Sequence, residues 1–150
     1  MPQSLTKILI HLTFSTKHHQ PLIDFELEQQ LFPYMAKIFR ECDSPSLAIN
    51  GTKDHIHVLF LLSKKIALCD VMEEVKKNSS KWAKTKGTRY SKFYWQNGYG
   101  AFSIGQSNVD AVKKYIAQQK IHHERKSFKE EFLQLLKKYD IEYDERYVWD

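Results

Sequence analysis

The chain is short of the features that mark several whole classes of protein. It has only two cysteines, Cys42 and Cys69, without metal-type spacing, so reduced structural thiols are expected and neither reads as a nucleophile. Long apolar runs are missing too. The longest unbroken stretch, Val58 to Leu62, is far too short to span a bilayer. The opening Met1-Pro2-Gln3-Ser4 lacks the basic and apolar regions of a secretory leader, so a soluble, cytoplasmic protein with no membrane partner is expected. Glycine is scarce. Three of the five, Gly98, Gly100 and Gly105, lie just before a helical stretch opening at Asn108, where they either shape turns or let that helix swing. No internal repeat, low-complexity segment or long linker appears.

What is present is 150 residues, 42% hydrophobic and 27% charged, which describes one globular domain over 1–150 with a real core. A disordered, collagen-like or coiled-coil chain is excluded. The net charge of +5 is unevenly spread: residues 1–63 carry five basic and six acidic side chains, 64–129 carry fifteen and five, and 130–150 carry three and seven. The sums are −1, +10 and −4. Two readings of the basic middle stay open: a face for an acidic partner such as nucleic acid, or lysines on solvated helix faces.

Lys7 to Ser15 alternates, with Ile8, Ile10, Leu12 and Phe14 on one face and Leu9, His11 and Thr13 on the other, which predicts a strand. Helical spacing of Leu27, Leu31, Phe32, Met35, Ile38 and Phe39 predicts a helix over 25–41, N-capped by Asp24, with Pro33 set to kink or divide it. Strands follow over 46–50 and 55–62, joined by Gly51-Thr52-Lys53-Asp54; the second is apolar on both faces after its histidines and belongs mid-sheet. A second helix is expected from Asp70, in an acidic capping box with Glu73, to Gly87. One or two strands are expected over 90–95 and 99–104, a third helix from an Asn108 cap to about Arg125, and a fourth over 128–139. This order gives an α+β fold: a ferredoxin-like antiparallel sheet flanked by helices, with a C-terminal helical extension.

Three constellations could carry chemistry. His55-Ile56-His57 places two imidazoles on one face of a strand, immediately after Asp54, where they would grip a cation or be satisfied as structural histidines. Tyr115 and Gln119 lie four apart on the third helix, at the border of the stripe Val109, Val112 and Ile116. A tyrosine there also fits simple packing. His122 shares nearly the same face and competes with Gln119 as a ligand, whereas Gln118 and His123 are less well aligned. Lys77, Lys81 and Lys84 form a cationic ridge opposite Val71, Val75 and Trp82. Arg89, Lys92, Tyr94 and Trp95 follow in a stretch with six aromatics in thirteen residues, from Tyr90 to Phe102. Unpaired bases stack on such rings, although most of these six are expected in the core.

Taken together the residues resemble a known family, the single-tyrosine HUH transposases of the insertion-sequence 200/605 type. The resemblance runs through Thr13-Phe14-Ser15-Thr16-Lys17, Asp54-His55-Ile56-His57-Val58-Leu59, Phe93-Tyr94-Trp95-Gln96-Asn97-Gly98-Tyr99, Tyr115-Ile116-Ala117-Gln118-Gln119 and Tyr143-Asp144-Glu145-Arg146-Tyr147-Val148-Trp149. One departure is Lys53, where the family often has proline before the Asp-His. The resemblance implies a ferredoxin-like core over 1–106 and a catalytic helix with its extension over 107–150. It implies Mg²⁺ or Mn²⁺ on His55, His57 and Gln119, and Tyr115 as the nucleophile. The implied partner is single-stranded DNA with hairpins, for which the basic and aromatic stretch offers Lys77, Lys81, Lys84, Arg89, Lys92, Tyr94 and Trp95 as candidate binding residues. It also implies a homodimer in which Tyr115 acts across the dimer, completing a site whose histidines belong to the partner subunit; the sequence itself leaves cis or trans action open.

Such an enzyme would cleave and rejoin strands through a 5′-phosphotyrosine. A phenol with a pKa near ~10 is only about one part in a thousand phenolate at neutral pH, so its activation must be supplied, and no general base stands out in the sequence. Three alternatives share some of these features: a non-catalytic single-stranded nucleic-acid binder, a replication or mobilisation nickase, and a metal-dependent small-molecule hydrolase.

Overall fold

The computed structural model describes residues 2–150, the side chain of His123 apart. Four strands, β1 (Leu9–Ser15), β2 (Ser46–Gly51), β3 (His55–Leu61) and β4 (Gly100–Ile104), form one antiparallel sheet in the order β2-β3-β1-β4. Between them run α1 (Phe25–Glu41) and α2 (Leu68–Lys84), and after β4 come α3 (Val109–Ala117), α4 (Gln119–Arg125) and α5 (Phe128–Lys138). The first six elements give the strand order of the split β-α-β ferredoxin-like arrangement. Among the described residues no helix is long and apolar enough to cross a membrane.

Alternation along the central strands sorts side chains to two faces. Ile10, Leu12, Phe14, Ile56, Val58 and Phe60 join Leu27, Leu31, Met35, Phe39, Val71 and Val75 of α1 and α2 in the main core. On the other face Leu9, Leu59 and Ile104 pack with Val109 and Ile116 of α3, while Phe102 packs with Phe128, Phe132 and Leu136 of α5. The β2–β3 turn is tight enough that a Cβ on Gly51 would lie 2.2 Å from the His55 carbonyl oxygen. Only glycine fits there.

α1 keeps its expected bounds, and the Asp24 carboxylate accepts from the Leu27 N–H at 2.8 Å. Pro33 neither divides nor ends it, because both Pro33 and Gln29, whose carbonyl loses its N–H donor, face water. The other helices depart from expectation. α2 begins at Leu68 on an Ala67 cap without side-chain hydrogen bonding, so Asp70 lies in its first turn, where its charge suits the helix dipole. Its end comes at Lys84, ahead of Gly87. The single helix expected over 108–125 is broken at Gln118, and Asn108 makes no side-chain cap. Asn50 of β2 explains the break: its Nδ2 donates to the Ile116 and Ala117 carbonyls at 3.0 and 3.2 Å, claiming acceptors that an unbroken helix would use.

The strand expected over 90–95 is instead a short 3₁₀ turn, Thr88–Tyr90, followed by a loop. Phe93 and Trp95 pin that loop into the core, Tyr90 Oη donates to both Asp24 carboxylate oxygens, and Trp95 alone pairs with Thr16 as a single bridge. Cys42 is buried and Cys69 exposed, both unbridged.

Candidate active site

His55 and His57 open β3, so both rings leave the face that packs against α3 and α5. The antiparallel register sets Ser15 opposite His55 and Thr13 opposite His57, with His11 on the same face of β1. His55 Nδ1 lies 2.8 Å from Asp54 Oδ1 and 2.9 Å from Thr52 Oγ1. These contacts fix its ring so that Nε2 faces Gln119 Oε1 at 3.2 Å and Glu131 Oε1 at 3.3 Å. The Nε2 of His57 is 2.8 Å from the same Glu131 oxygen, and its Nδ1 is 2.9 Å from His11 Nε2. A carboxylate only accepts, so the His57 Nε2 carries the proton and its Nδ1 accepts from His11. All of His11, His55, His57, Gln119 and Glu131 are buried.

Glu131 is the hub of the arrangement. Its Oε1 faces the two imidazoles, while its Oε2 accepts a short hydrogen bond from the Tyr115 hydroxyl and another from Gln119 Nε2 at 3.3 Å. Tyr115 sits half-buried at the end of α3, edge-on to His11 and His57, with the His122 ring stacked on it at 4.8 Å. His122 therefore packs on the nucleophile candidate, and its buried Nε2 has no partner among the described residues. The side chain of His123 lies outside them.

The surroundings set the charges. Burial opposes protonation of His55, but hydrogen bonds to Asp54 and Glu131 outweigh it and push its pKa up to about 9. Burial, with His57 alongside, drives His11 down to about 3, and burial likewise lowers His57. For Glu131 burial works against ionisation, yet hydrogen bonds from His55, His57 and Tyr115 prevail and hold the carboxyl well below the usual range. Burial and then the Glu131 carboxylate lift the Tyr115 phenol well above its ordinary value. At rest the phenol is neutral and donates a hydrogen bond to the ionised Glu131.

His55, His57 and Glu131 offer three ligand atoms within 4.8 Å of one another. Two imidazole nitrogens and a carboxylate oxygen, with the Gln119 amide oxygen adjacent, form a mixed nitrogen and oxygen set that fits a divalent cation. Asp54 and His11 hold the far nitrogens of both rings, the usual outer support of ligating histidines. Glu131 and His11 were missed by sequence reasoning. Their signals are nonetheless visible: a glutamate within the apolar stripe Phe128, Phe132 and Leu135, and a histidine alternating with apolar residues on a central strand.

The residues read as a DNA track are distributed differently. Lys77, Lys81 and Lys84 lie along α2 on the opposite side of the sheet, with Lys77 near Glu74 at 3.5 Å and Lys84 over the exposed Tyr94 ring at 3.9 Å. Arg89 pairs with Glu26 at 2.5 Å, and Lys92 is exposed. Trp95 is no stacking platform: it is 6% exposed, wedged edge-on against Phe14 and Phe93, with Nε1 donating to Ser79. The loop that carries Tyr94 is tied to the end of β1, where Lys17 N–H donates to the Tyr94 carbonyl and Thr16 N–H to that of Asp54, both at 2.8 Å.

This fold and site define a class, and comparison with known proteins agrees with it. Residues 4–119 match the family described as transposase IS200 like, and the chain belongs to that family. A crystal structure of a Deinococcus radiodurans R1 protein described as a transposase superposes with a TM-score of 0.60 at 20% identity, covering 79% of this chain and 98% of that one. A tyrosine transposase associated with REP sequences, bound to a REP hairpin, gives a TM-score of 0.61 at 16% identity, covering 82% of this chain and 73% of that one. At these identities the two structures show the shared fold. Comparison with the curated proteins finds no match.

Proposed function

We propose that this transposase cleaves and rejoins single-stranded DNA beside a hairpin by attack of Tyr115 on a phosphodiester. The observation that carries the reading is the convergence, within one chain, of the Tyr115 hydroxyl, both β3 imidazoles and the Glu131 carboxylate. Tyr115 Oη forms a bond to phosphorus, the bond from phosphorus to the 3′ oxygen breaks, and the 5′ side remains on the tyrosine. As its oxygen bonds phosphorus, the phenol gives up its proton along the hydrogen bond to Glu131 Oε2 and on to water, since Glu131 is too weak a base to keep it, and the departing 3′ oxygen takes a proton from water. A divalent cation, Mg²⁺ or Mn²⁺, held by His55, His57, Glu131 and Gln119, would polarise the phosphate and stabilise its developing charge.

The energy of the diester is retained in the tyrosine ester, so another 3′ hydroxyl can displace it and rejoin strands. His11 and Asp54 keep the two rings aimed, and Asn50 holds the end of α3 against β2. Because the tyrosine meets the histidines of its own chain, cleavage in cis is the reading proposed. A homodimer would then pair two complete sites rather than exchange tyrosines. The strand would approach past Lys81, Lys84, Lys92 and Tyr94, whose cations and open ring suit phosphates and an unpaired base. The hairpin preference is supported by the REP-hairpin complex of the similar tyrosine transposase.

The test is a labelled hairpin oligonucleotide incubated with protein and Mn²⁺ or Mg²⁺. Wild type should give a covalent protein–DNA band that depends on the metal, and Tyr115→Phe should give none while still binding the oligonucleotide. An adduct of normal yield from Tyr115→Phe would sink the assignment.

A further inference from the structure

A cavity of about 500 Å³ opens beside Tyr115, between β4, α3 and α5. It shares two walls with the site: Tyr115 itself, and His11, whose Nε2 supports His57. Its volume lies in the range of small-molecule pockets. Ile104, Val112 and Leu135 make it apolar, and Ser103, Asn108 and Lys138 supply polar groups. Among the described residues these three side chains have no hydrogen-bond partner; Asn108 caps no helix N–H, and Lys138 overlies Tyr139 with its charge felt at His11. An apolar slot with an amide and a hydroxyl, and a cation at its rim, has the makings of a nucleotide subsite.

We propose that this cavity receives the base of the nucleotide on the 3′ side of the cut, the one left joined to Tyr115. The proposal rests on the reading above. Stereochemistry selects between the two nucleosides that flank the bond. In an in-line displacement the leaving 3′ oxygen stands opposite the tyrosine oxygen, so the upstream nucleoside is directed away from Tyr115. The 5′ oxygen of the downstream nucleoside is equatorial and can fold back along the tyrosine, where this cavity lies. Lys138 then sits where the backbone beyond that nucleotide would emerge. Asn108 carries both a donor and an acceptor, so it can read a base edge as well as hold it. Extracting a base that is already unpaired costs little, which makes such a pocket compatible with a single-stranded substrate.

The experiment uses hairpin-bearing single-stranded oligonucleotides drawn from the DNA flanking the coding sequence, with the cut mapped first by the wild-type adduct. An abasic site is then placed on the 3′ or the 5′ side of the cut, and single-turnover adduct formation is timed. The 3′ abasic substrate should react about tenfold or more slowly, and the 5′ one within about twofold of the intact strand, given the usual worth of one stacked base. Ala111→Phe, at an exposed helix position lining the cavity, should slow the intact strand to a similar extent and abolish the difference at the 3′ position. Asn108→Ala, which fills nothing, should reproduce part of the loss. Equal rates on 3′ abasic and intact strands, with cleavage itself normal, would overturn the subsite and leave the transposase reading standing. No adduct on any strand would remove both.

Discussion

Both faces of the sheet bury strand residues, but for different ends. Beneath α1 and α2 the strands contribute Ile10, Leu12, Phe14, Ile56, Val58 and Phe60, and everything they touch in that core is apolar or packs as such. Beneath α3 and α5 the same two strands contribute His11, Thr13, His55 and His57, buried as completely as their apolar neighbours. The first face gains stability from every methylene removed from water. On the second, desolvation of imidazole and carboxylate is offset only because each polar atom meets another, and such clusters contribute little net stability. Alternation along a strand thus lets one sheet set its main apolar core apart from the polar cluster that the proposed chemistry uses.

The sharpest way to break that symmetry is Tyr115→Phe. The covalent adduct should fall below detection while the thermal midpoint moves by no more than about 4 °C, since only one hydrogen bond to Glu131 is lost. On the other face Phe60→Ala should do the reverse. Phe60 is fully buried, and its truncation should cost about 3–5 kcal/mol in denaturant unfolding, with the folded remainder still forming adduct at the normal rate. A Phe60 variant that loses chemistry in proportion to nothing but its fold would confirm the separation; one that loses it while folded would not.

How stability varies with pH separates the faces next, because the shifted histidines all lie on one of them. In metal-free protein, His55 is raised to about 9, so its contribution is complete below the ordinary imidazole value near 6.5 and is lost as pH climbs through 9. His11, lowered to about 3, and His57, also lowered, stay neutral when folded but protonate when unfolded, so stability also falls as pH drops below about 6.5. Urea unfolding in a chelator should therefore peak near pH 6.5 and decline by a few kcal/mol on either side. Phe60→Ala should lower that curve evenly without changing its shape. His55→Gln should flatten its alkaline limb alone.

Much of the apolar face was legible in the sequence because it rests on local periodicity. The 25–41 helix with its Asp24 cap, the alternating first strand and the central third strand all follow from spacing within one element. On the site face the His55 and His57 pair and the Tyr115 and Gln119 pair were visible for the same reason. What was not visible depends on partners far along the chain. Glu131 bonds His57 across 74 positions, and a glutamate beside a helix's apolar stripe ordinarily reads as solvated. His11 meets His57 across 46 positions. Trp95 failed in the other direction, since composition does not separate a ring that stacks a base from one that fills a core.

The break between α3 and α4 is the subtlest of these long-range effects. Asn50 lies 66 positions before Ile116, yet its amide takes the Ile116 and Ala117 carbonyls, and its Oδ1 accepts from Lys120 Nζ at 3.2 Å. The amide therefore ties the end of the tyrosine helix to the edge strand and fixes where Gln119 starts the next helix. Asn50→Ala should cost only about 1 kcal/mol, because the freed carbonyls can accept from Lys120 and Ile121 N–H and fuse the two helices. That fusion would displace Gln119 from His55 and loosen Tyr115 from Glu131 without touching the apolar face. Adduct formation should slow several-fold at unchanged DNA affinity, an effect of about 1 kcal/mol. Amide exchange at Lys120 and Ile121 should slow as the new helical bonds form. An adduct rate equal to wild type, together with slowed exchange, would mean that the site tolerates a continuous helix and that Asn50 serves the fold alone.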